Sequence, residues 1–413
     1  MVISLDRNAQ RQVDQFQGWA ANCGVEADNG FCLVGGMVDG NEDYHAVTST
    51  GASQGNRVLA VPSEMILSAS QIAQEFRGYV ESALQSLEQK GYLHLEPHFH
   101  LFLKILMEYE KGESSAYYPW LNSLPRRWNT AVSFDYFCMS TLPPYIKKIC
   151  QKKRDELSAF QESLKYFDYI LPETKSDDEL VKFAYNVVMT RILPSQEDHN
   201  IVPAADYFNH GNEANIVICY NNNNNNEQTT ANCEVYASRD IAPGEALTLT
   251  YDMPTNPSHL LATYGFLNEA PATYCKLLFT NPSEKLKQIG YDPSQLLFST
   301  QDGSISSPIW DVILYSKLER TPGMAEAKNA FYEAHMSGDE ATKFAIHSQF
   351  QEATCTVLLE HVETILKEVS QLTCMMEQFR DEDRHPRLPL LMEHHAMVTS
   401  TFSKVRYNLR SMY

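Results

Sequence analysis

The spacing of apolar residues changes several times along the chain, and each change marks a new kind of predicted element. Residues 12–62 mix glycine-rich turns with short apolar runs. The run 57–62, Arg-Val-Leu-Ala-Val-Pro, predicts a strand closed by proline. The period then becomes helical, with apolar residues at Ile72, Phe76, Val80, Leu84 and Leu87 before Gly91. Further helical periods, at 99–109, 160–170 and 183–189, predict a mainly helical region up to residue 192.

After residue 192 the spacing becomes that of short strands. Runs at 216–220, 233–237 and 246–251 predict three strands, and we expect them to form an antiparallel meander. The six asparagines 221–226 lie between the first two strands, and we interpret this polar tract as a mobile hairpin loop. From about residue 284 the helical period returns. The chain therefore predicts an α+β fold in which helices interrupt a β-rich part and a separate helical domain follows.

Composition narrows the class of protein further. The chain has 413 residues, 43% of them apolar, which is enough for two or three packed cores. Its formal net charge of −19 opposes a non-specific grip on phosphate backbones, so we expect no nucleic-acid partner. Nine cysteines lack the close paired spacing of zinc ligands and are interpreted as reduced thiols, with no metal site. The chain has no signal-like start and no apolar stretch of membrane-spanning length, so we expect a soluble protein of the cytosol or nucleus. We also expect it to be a monomer.

Polar side chains that could carry chemistry are concentrated between residues 191 and 266. In the stretch 201–210, Asn209 and His210 offer an amide and an imidazole that could hold a polar ligand by directional hydrogen bonds. A capped turn, in which Asp206 and Asn209 bond nearby amides, is the simpler interpretation of the same residues. The stretch 244–251 ends in a tyrosine, and tyrosines near strand ends are usually amphipathic core residues. Neither stretch identifies a function by itself.

Taken together and in order, these segments resemble the SET-domain methyltransferases of the Rubisco large-subunit methyltransferase group. The matching segments are Met189-Thr190-Arg191, Pro203 to His210 as a Pro-x-x-Asp-x-x-Asn-His motif, Gly244 to Tyr251, and Tyr264-Gly265-Phe266. The run 119–125, Pro-Trp-Leu-Asn-Ser-Leu-Pro, resembles part of the helical insert that this group carries inside its SET domain. The resemblance covers residues 41–270 well and the carboxy-terminal helices more weakly.

The resemblance implies a domain plan. A SET-type β-rich domain would comprise 12–62 and 181–270, with the helical insert at 63–180 between them. The helical domain at 284–413 would dock a protein substrate. The β-rich parts must come together around one pocket, although the insert separates them along the chain.

The resemblance also implies S-adenosylmethionine as cofactor and assigns residues to its pocket. Asn209 and His210 would hold its methionine-amine and adenine ends, with Thr190 and Arg191 contributing to the same pocket. The full set of cofactor-binding candidates is Tyr44, Thr190, Arg191, Asp206, Asn209 and His210. Residues 42–45, Glu-Asp-Tyr-His, depart from the family pattern. They lack the glycines that in this family normally let backbone amides approach the cofactor at this place.

Tyr251 would be the catalytic residue, because methyl transfer to a neutral amine requires alignment and desolvation more than a strong acid or base. Tyr264 and Phe266 would enclose the stem of a lysine side chain. The leading hypothesis is therefore a protein-lysine methyltransferase acting on a non-histone protein. Two alternatives stay open: a protein-histidine methyltransferase, and a catalytically silent SET-like module whose tail binds a partner.

Overall fold

The computed structural model describes residues 3–6, 8–38, 41–193, 198–221, 232–251, 257–267, 274–276, 282–292 and 296–412. Its helices are α1 Val13–Asn22, α2 Ala69–Glu75, α3 Glu81–Gln89, α4 Glu96–Glu110, α5 Tyr118–Leu121, α6 Tyr136–Ser140, α7 Pro144–Leu164, α8 Pro172–Ser176, α9 Asp178–Arg191, α10 Pro257–Tyr264, α11 Glu284–Gln288, α12 Ser307–Arg320, α13 Ala325–Ser337, α14 Glu340–Gln378 and α15 Leu388–Arg410. Its strands are β1 Glu26–Ala27, β2 Phe31–Val38, β3 Asn41–Thr48, β4 Arg57–Val61, β5 Leu67–Ser68, β6 Ile192–Leu193, β7 Asn200–Ile201, β8 Asn209–His210, β9 Ile216–Asn221, β10 Asn232–Ala237, β11 Thr248–Leu249, β12 Tyr274–Lys276 and β13 Leu297–Ser299.

The chain divides into two compact units, each with its own hydrophobic core. The first unit comprises Met1–Ser133 and Lys152–Asp252, and the second comprises Phe134–Gln151 and Met253–Tyr413. The expected α+β fold is confirmed, with β1 to β11 in the first unit and long helices in the second. The domain boundaries at 62, 180 and 270 stay predictions.

The main sheet of the first unit is built around β4. Its strand order is β1-β4-β10-β9, and the neighbouring strands are antiparallel. Val58, Leu59 and Val61 are fully buried, as expected for a strand covered on both faces. The predicted meander is wrong at its third strand. Because β10 uses its two edges for β9 and β4, the segment after it pairs elsewhere, as β11 alongside β8.

The helical period at 72–87 forms two helices instead of one. Gly78 separates α2 from α3 with a φ of +88°, a left-handed conformation that glycine adopts without a steric penalty. Its N–H donates to the carboxylate of Glu81 in the first turn of α3, at 2.7 Å. Phe76 and Val80 on either side of the break are both buried, so the apolar period continues through the turn.

In the second unit, α14 and α15 pack along each other and supply much of the core. Asp339 begins α14 by accepting a hydrogen bond from the N–H of Thr342 at 3.0 Å, which satisfies a donor that a helix start leaves free. A short strand, β13, lies within the otherwise helical tail and pairs with β12.

Several expectations concern the chain as a whole. Residues 222–226 of the asparagine run lie outside the described residues, so its interpretation as a loop stays a prediction. In the described part, none of the helices is both long enough and apolar enough to cross a membrane. The described cysteines are free thiols, and in the same residues no group of three His, Cys, Asp or Glu could hold a metal ion.

Acidification should destabilise the second unit. Burial lowers the pKa of His394 to about 3 and the pKa values of His361 and His395 to about 4, all from about 6.5. Below about pH 6.5 the unfolded chain therefore binds protons that the folded chain does not. The free energy of unfolding should fall as the pH falls from about 6.5 to about 4, by at most about 1.4 kcal/mol per pH unit for each histidine.

Thermal unfolding, followed by circular dichroism between pH about 7.5 and about 4.5, measures this effect. The variant His394→Asn removes one of the titrating groups, so its unfolding temperature should depend less steeply on pH. Equal slopes for the variant and the unaltered protein would contradict the prediction.

Candidate functional site

Two segments far apart in the chain run side by side at the centre of the candidate site. β8 pairs with β11 in parallel, with Asn209 opposite Thr248 and His210 opposite Leu249. The N–H of Gly211 continues the ladder by donating to the carbonyl of Leu249 at 2.8 Å. A Cβ at Gly211 would lie 2.5 Å from Oγ1 of Thr248, so this close approach requires glycine.

The parallel pairing of β8 with β11, called the crossing below, brings the predicted catalytic tyrosine to the predicted cofactor histidine. The backbone N–H of Tyr251 donates to Nδ1 of His210 at 3.1 Å, and the two rings have centroids 5.4 Å apart. The Tyr251 hydroxyl donates to the carbonyl of Phe208 at 2.8 Å. Since Nδ1 accepts a hydrogen bond and burial lowers the pKa of His210, the neutral ring carries its proton on Nε2. Tyr251 is thus held at its backbone and at its hydroxyl.

A buried ion pair lies just before the crossing in the chain. Arg191 is the last residue of α9, and its Nη1 donates to both Oδ2 and the backbone carbonyl of Asp206, each at 2.9 Å. The indole N–H of Trp120 donates to the same Oδ2 at 3.0 Å. The carboxylate is fully buried, and burial raises the pKa of Asp206 even though Arg191 and Trp120 act in the opposite direction.

Both members of this pair keep free polar atoms. Nε of Arg191 and Oδ1 of Asp206 are buried and have no hydrogen-bond partner among the described residues. Because buried polar atoms are nearly always hydrogen-bonded, these two atoms mark a place where a polar ligand could bind.

The ion pair is embedded in aromatic rings and a second arginine. The ring centroid of Tyr207 lies 5.2 Å from the guanidinium carbon of Arg191 and 5.9 Å from that of Arg11. The Tyr207 hydroxyl donates to Oγ of Ser123 at 2.7 Å, and Nε of Arg11 donates to the backbone carbonyl of Ser123 at the same distance. Arg11 also lies over the ring of Tyr44, 4.8 Å from its centroid.

Tyr44 stands where the sequence lacks the expected glycines. It is opposite Gly35 in the β2–β3 hairpin, and a Cβ on Gly35 would lie 2.7 Å from Cε1 of the tyrosine. The ring therefore packs directly on the glycine backbone. In the glycine-poor segment 42–45, the Tyr44 ring thus lies between Gly35 and the Arg11 guanidinium.

The turn that delivers Asp206 is strained. Ala204 has a φ of +77°, in the left-handed region that side chains with a Cβ rarely occupy. The N–H of Asp206 closes the turn by donating to the carbonyl of Val202 at 2.9 Å. Strained backbone of this kind tends to be retained at functional sites, because the surrounding structure must hold it in place.

The structure joins some of the predicted site residues by direct contacts. His210 contacts Tyr251, Asn209 precedes His210 on β8 opposite Thr248, and Arg191 contacts Asp206. The Thr190 hydroxyl instead donates to the carbonyl of Asn186 at 2.8 Å, within its own helix. Tyr264 and Phe266 belong to the second unit, with ring centroids 6.2 Å apart. The functional roles of all these residues stay predictions.

Three residues of the site were missed by sequence reasoning. Trp120 belongs to the run 119–125, which sequence reasoning assigned to the helical insert and not to the site. Tyr207 lies inside the motif 203–210 at a position that the motif leaves unspecified, so it was given no role. Arg11 precedes the first predicted element, and no spacing connects it to the site.

Comparisons with known proteins show a match to one domain family and a shared fold. Residues 58–252 match the family model of the SET domain. Among curated proteins, none matches the chain by sequence. A solved structure described as the SET domain of LSMT bound to lysine and AdoHcy is similar with a TM-score of 0.69 and 13% identity, over 97% of this chain and 91% of that one. Structures of Rubisco LSMT bound to sinefungin and monomethyllysine, and to AdoMet, each have a TM-score of 0.66, at 14% and 15% identity, over 98% of this chain and 92% of theirs. At this identity the likeness shows a shared fold.

Removing the arginine of the buried pair should destabilise the first unit strongly. Arg191→Ala leaves the Asp206 carboxylate buried without its cation, and breaking a buried pair in this way costs about 3–5 kcal/mol. Urea unfolding at neutral pH measures the change in the free energy of unfolding.

A matched control is Arg239→Ala, which removes a cation from the exposed ion pair with Glu245, whose side chains are 49% and 32% accessible. Because solvent screens that pair, the control should unfold at nearly the same urea concentration as the unaltered protein. Equal losses in the two variants would mean that the buried pair does not hold the site together.

Proposed function

Because the chain carries a SET domain and shares the fold of the Rubisco LSMT structures, we propose that it is an S-adenosylmethionine-dependent methyltransferase acting on a lysine side chain of a protein. The observation that supports this most directly is the contact between His210 and Tyr251 at the crossing of β8 and β11. It joins the residue implied for cofactor binding to the residue implied for catalysis.

The described residues fit the polar ends of such a cofactor. The unpartnered Nε of Arg191 is a buried cationic donor suited to a carboxylate, and the nearby Oδ1 of Asp206 is a free acceptor. Asn209 is half-buried at the crossing, where its amide would accept a hydrogen bond from the methionine amine. His210 would contact the adenine end. Thr190 and Tyr44 are proposed for the same pocket on the family resemblance.

The cofactor, when bound, would supply a methyl group activated by a positively charged sulfonium. The task of the chain is then to hold a neutral amine in line and to exclude water. The Tyr251 hydroxyl is anchored on the Phe208 carbonyl, so its oxygen keeps a fixed position and can accept a hydrogen bond from the amine. Desolvation in a half-buried site lowers the pKa of a lysine ammonium and so favours the neutral, nucleophilic amine. Tyr264 and Phe266 are proposed to enclose the lysine stem.

A second candidate function is a catalytically silent interaction module. The observation in its favour is the Tyr44 ring, which occupies the place of the expected glycine and is packed between Gly35 and Arg11. Calorimetric titration with S-adenosylmethionine separates the two candidates. Heat of binding supports the methyltransferase, and its absence at millimolar cofactor supports the silent module.

The substrate is proposed to be a non-histone protein of the cytosol or nucleus. Methyl-label transfer into a lysate of the source cells, followed by mass spectrometry of the labelled protein, would identify it. The same measurement distinguishes a methylated lysine from a methylated histidine.

The tail 284–413 is proposed to dock the protein substrate. Its deletion should then weaken protein methylation more than it weakens cofactor binding, because docking lies outside the cofactor pocket. Label transfer and calorimetry measure the two effects separately. An equal loss of both would point to a purely structural tail.

The variant Tyr251→Phe should lower turnover by on the order of 10²-fold at nearly unchanged cofactor affinity, since it removes one aligned hydroxyl and keeps the ring. His210→Ala should lose cofactor affinity as well. Turnover at saturating cofactor and calorimetric affinity are the two measurements.

Tyr236→Phe is a matched control, because that hydroxyl also makes a hydrogen bond in the first unit, to Glu234 at 2.8 Å, but lies on β10. The control should keep its turnover. Full activity of Tyr251→Phe would remove this tyrosine from the mechanism.

A further inference from the structure

The second unit contains a cavity of about 190 Å³ that the proposed methyl transfer does not use. It lies among α14, α15 and the start of α7, with Ser258 of α10 also contributing to its wall. Most of the lining is apolar, including Ile146, Ile365, Val398 and Phe402. None of the residues assigned to the cofactor or to catalysis belongs to this lining.

Two histidines give this apolar cavity a polar side. His394 and His361 both line it, and His394 is only 1% exposed. Nδ1 of His394 and Nε2 of His361 are buried and have no hydrogen-bond partner among the described residues. The other ring nitrogen of His394 lies 3.2 Å from Oγ of Ser258. Buried polar atoms are almost always satisfied, so two free ring nitrogens on one cavity indicate a ligand that would complete their hydrogen bonds.

A catalytic role for the Ser258–His394 pair does not fit its electrostatics. A serine and a histidine within hydrogen-bond reach could form a nucleophile and its base. An efficient base requires a pKa near the working pH, whereas burial lowers the pKa of His394 to about 3. The imidazole is too weakly basic to activate the hydroxyl, and the cavity is therefore suited to binding.

The same burial selects the charge of the ligand. Neutral imidazoles each present one donor and one acceptor, and they offer an anion no positive charge. Glu368, the carboxylate in the lining, is half-buried like His361 and would repel an anion, whereas His394 and Ser258 form the most deeply buried polar part of the cavity. An uncharged ligand with a hydroxyl or N–H group matches this side, and a flat apolar body matches the rest.

We propose that this cavity binds a small uncharged aromatic molecule bearing one hydrogen-bonding group, of the phenol or indole class. Its size agrees with that class, because an apolar cavity of about 150 Å³ accommodates benzene. A ligand hydroxyl donates to one of the free nitrogens of His394 and His361 and accepts from the other, whereas an indole N–H donates to one of them; in either case the ring contacts Val398 and Phe402.

Phenol and toluene are matched probes, since they share a ring and differ in the hydroxyl group. Calorimetry or ligand-observed NMR with the full chain should give phenol a dissociation constant of about 1 mM or tighter, with toluene about tenfold weaker. Phenol should also shift the ring-nitrogen resonances of His361 and His394 in protein labelled with ¹⁵N-histidine. Equal affinities, or no binding of phenol at about 10 mM, would overturn the proposal in favour of an unspecific or water-filled cavity.

Variants locate the binding. Val398→Phe fills the cavity and should abolish phenol binding, whereas Thr399→Phe, on the neighbouring exposed position of α15, should not. His394→Leu should remove the preference for phenol and leave toluene binding intact, a result that is interpretable even if Val398→Phe folds poorly. Persistent phenol binding in a folded Val398→Phe variant, or an unchanged preference in His394→Leu, would place the ligand elsewhere and refute the proposal.

Discussion

The candidate site depends on the parallel pairing of β8 with β11. This pairing joins two backbone segments that are about forty residues apart and makes Gly211 obligatory, because a Cβ there would collide with Thr248. Tyr251 follows β11 by two residues, so the register of the pairing places its N–H on His210. A shift of either strand by one residue in the pairing register would turn the side chains of that strand to the opposite face of the pair. The chemistry of the site is thus set by backbone hydrogen bonds before any side chain contributes.

The buried pair of Arg191 and Asp206 connects this crossing to the helices. Arg191 comes from the end of α9, Asp206 from the strained turn after Ala204, and Trp120 from the region that the sequence assigns to the insert. Desolvation makes such a pair a poor source of net stability, as the raised pKa of Asp206 indicates. Its value lies in orientation: it directs a guanidinium and a carboxylate, each with a free buried atom, to one place.

The second unit follows a different physical rule. Its long helices form a separate core in which several histidines are buried in their neutral form. A neutral imidazole in an apolar core is tolerated when at least one of its nitrogens finds a partner, as His395 does with Thr373 at 3.0 Å. His394 has such a partner in Ser258, and one ring nitrogen each of His361, His394 and His395 is without a partner among the described residues. His361 and His394 differ from His395 because they line one cavity. The same desolvation that weakens these residues as bases makes them selective for an uncharged partner.

The sequence by itself determined the elements whose apolar spacing is local: the buried strand β4, the long helices of the tail, and the ordered motifs that contain Asn209, His210 and Tyr251. It misplaced the strand after β10 because apolar alternation reports that a strand is buried and does not report which edge it will occupy. It also missed Arg11 and Trp120, whose partners lie 112 and 86 residues away. The cavity between Ser258 and His394, 136 residues apart, has no local signal either. Only the tertiary structure decided this strand pairing, these long-range contacts and the cavity. Apolar spacing encodes which face of an element is buried, whereas pairing and cavities depend on which edges and volumes remain after all elements have packed.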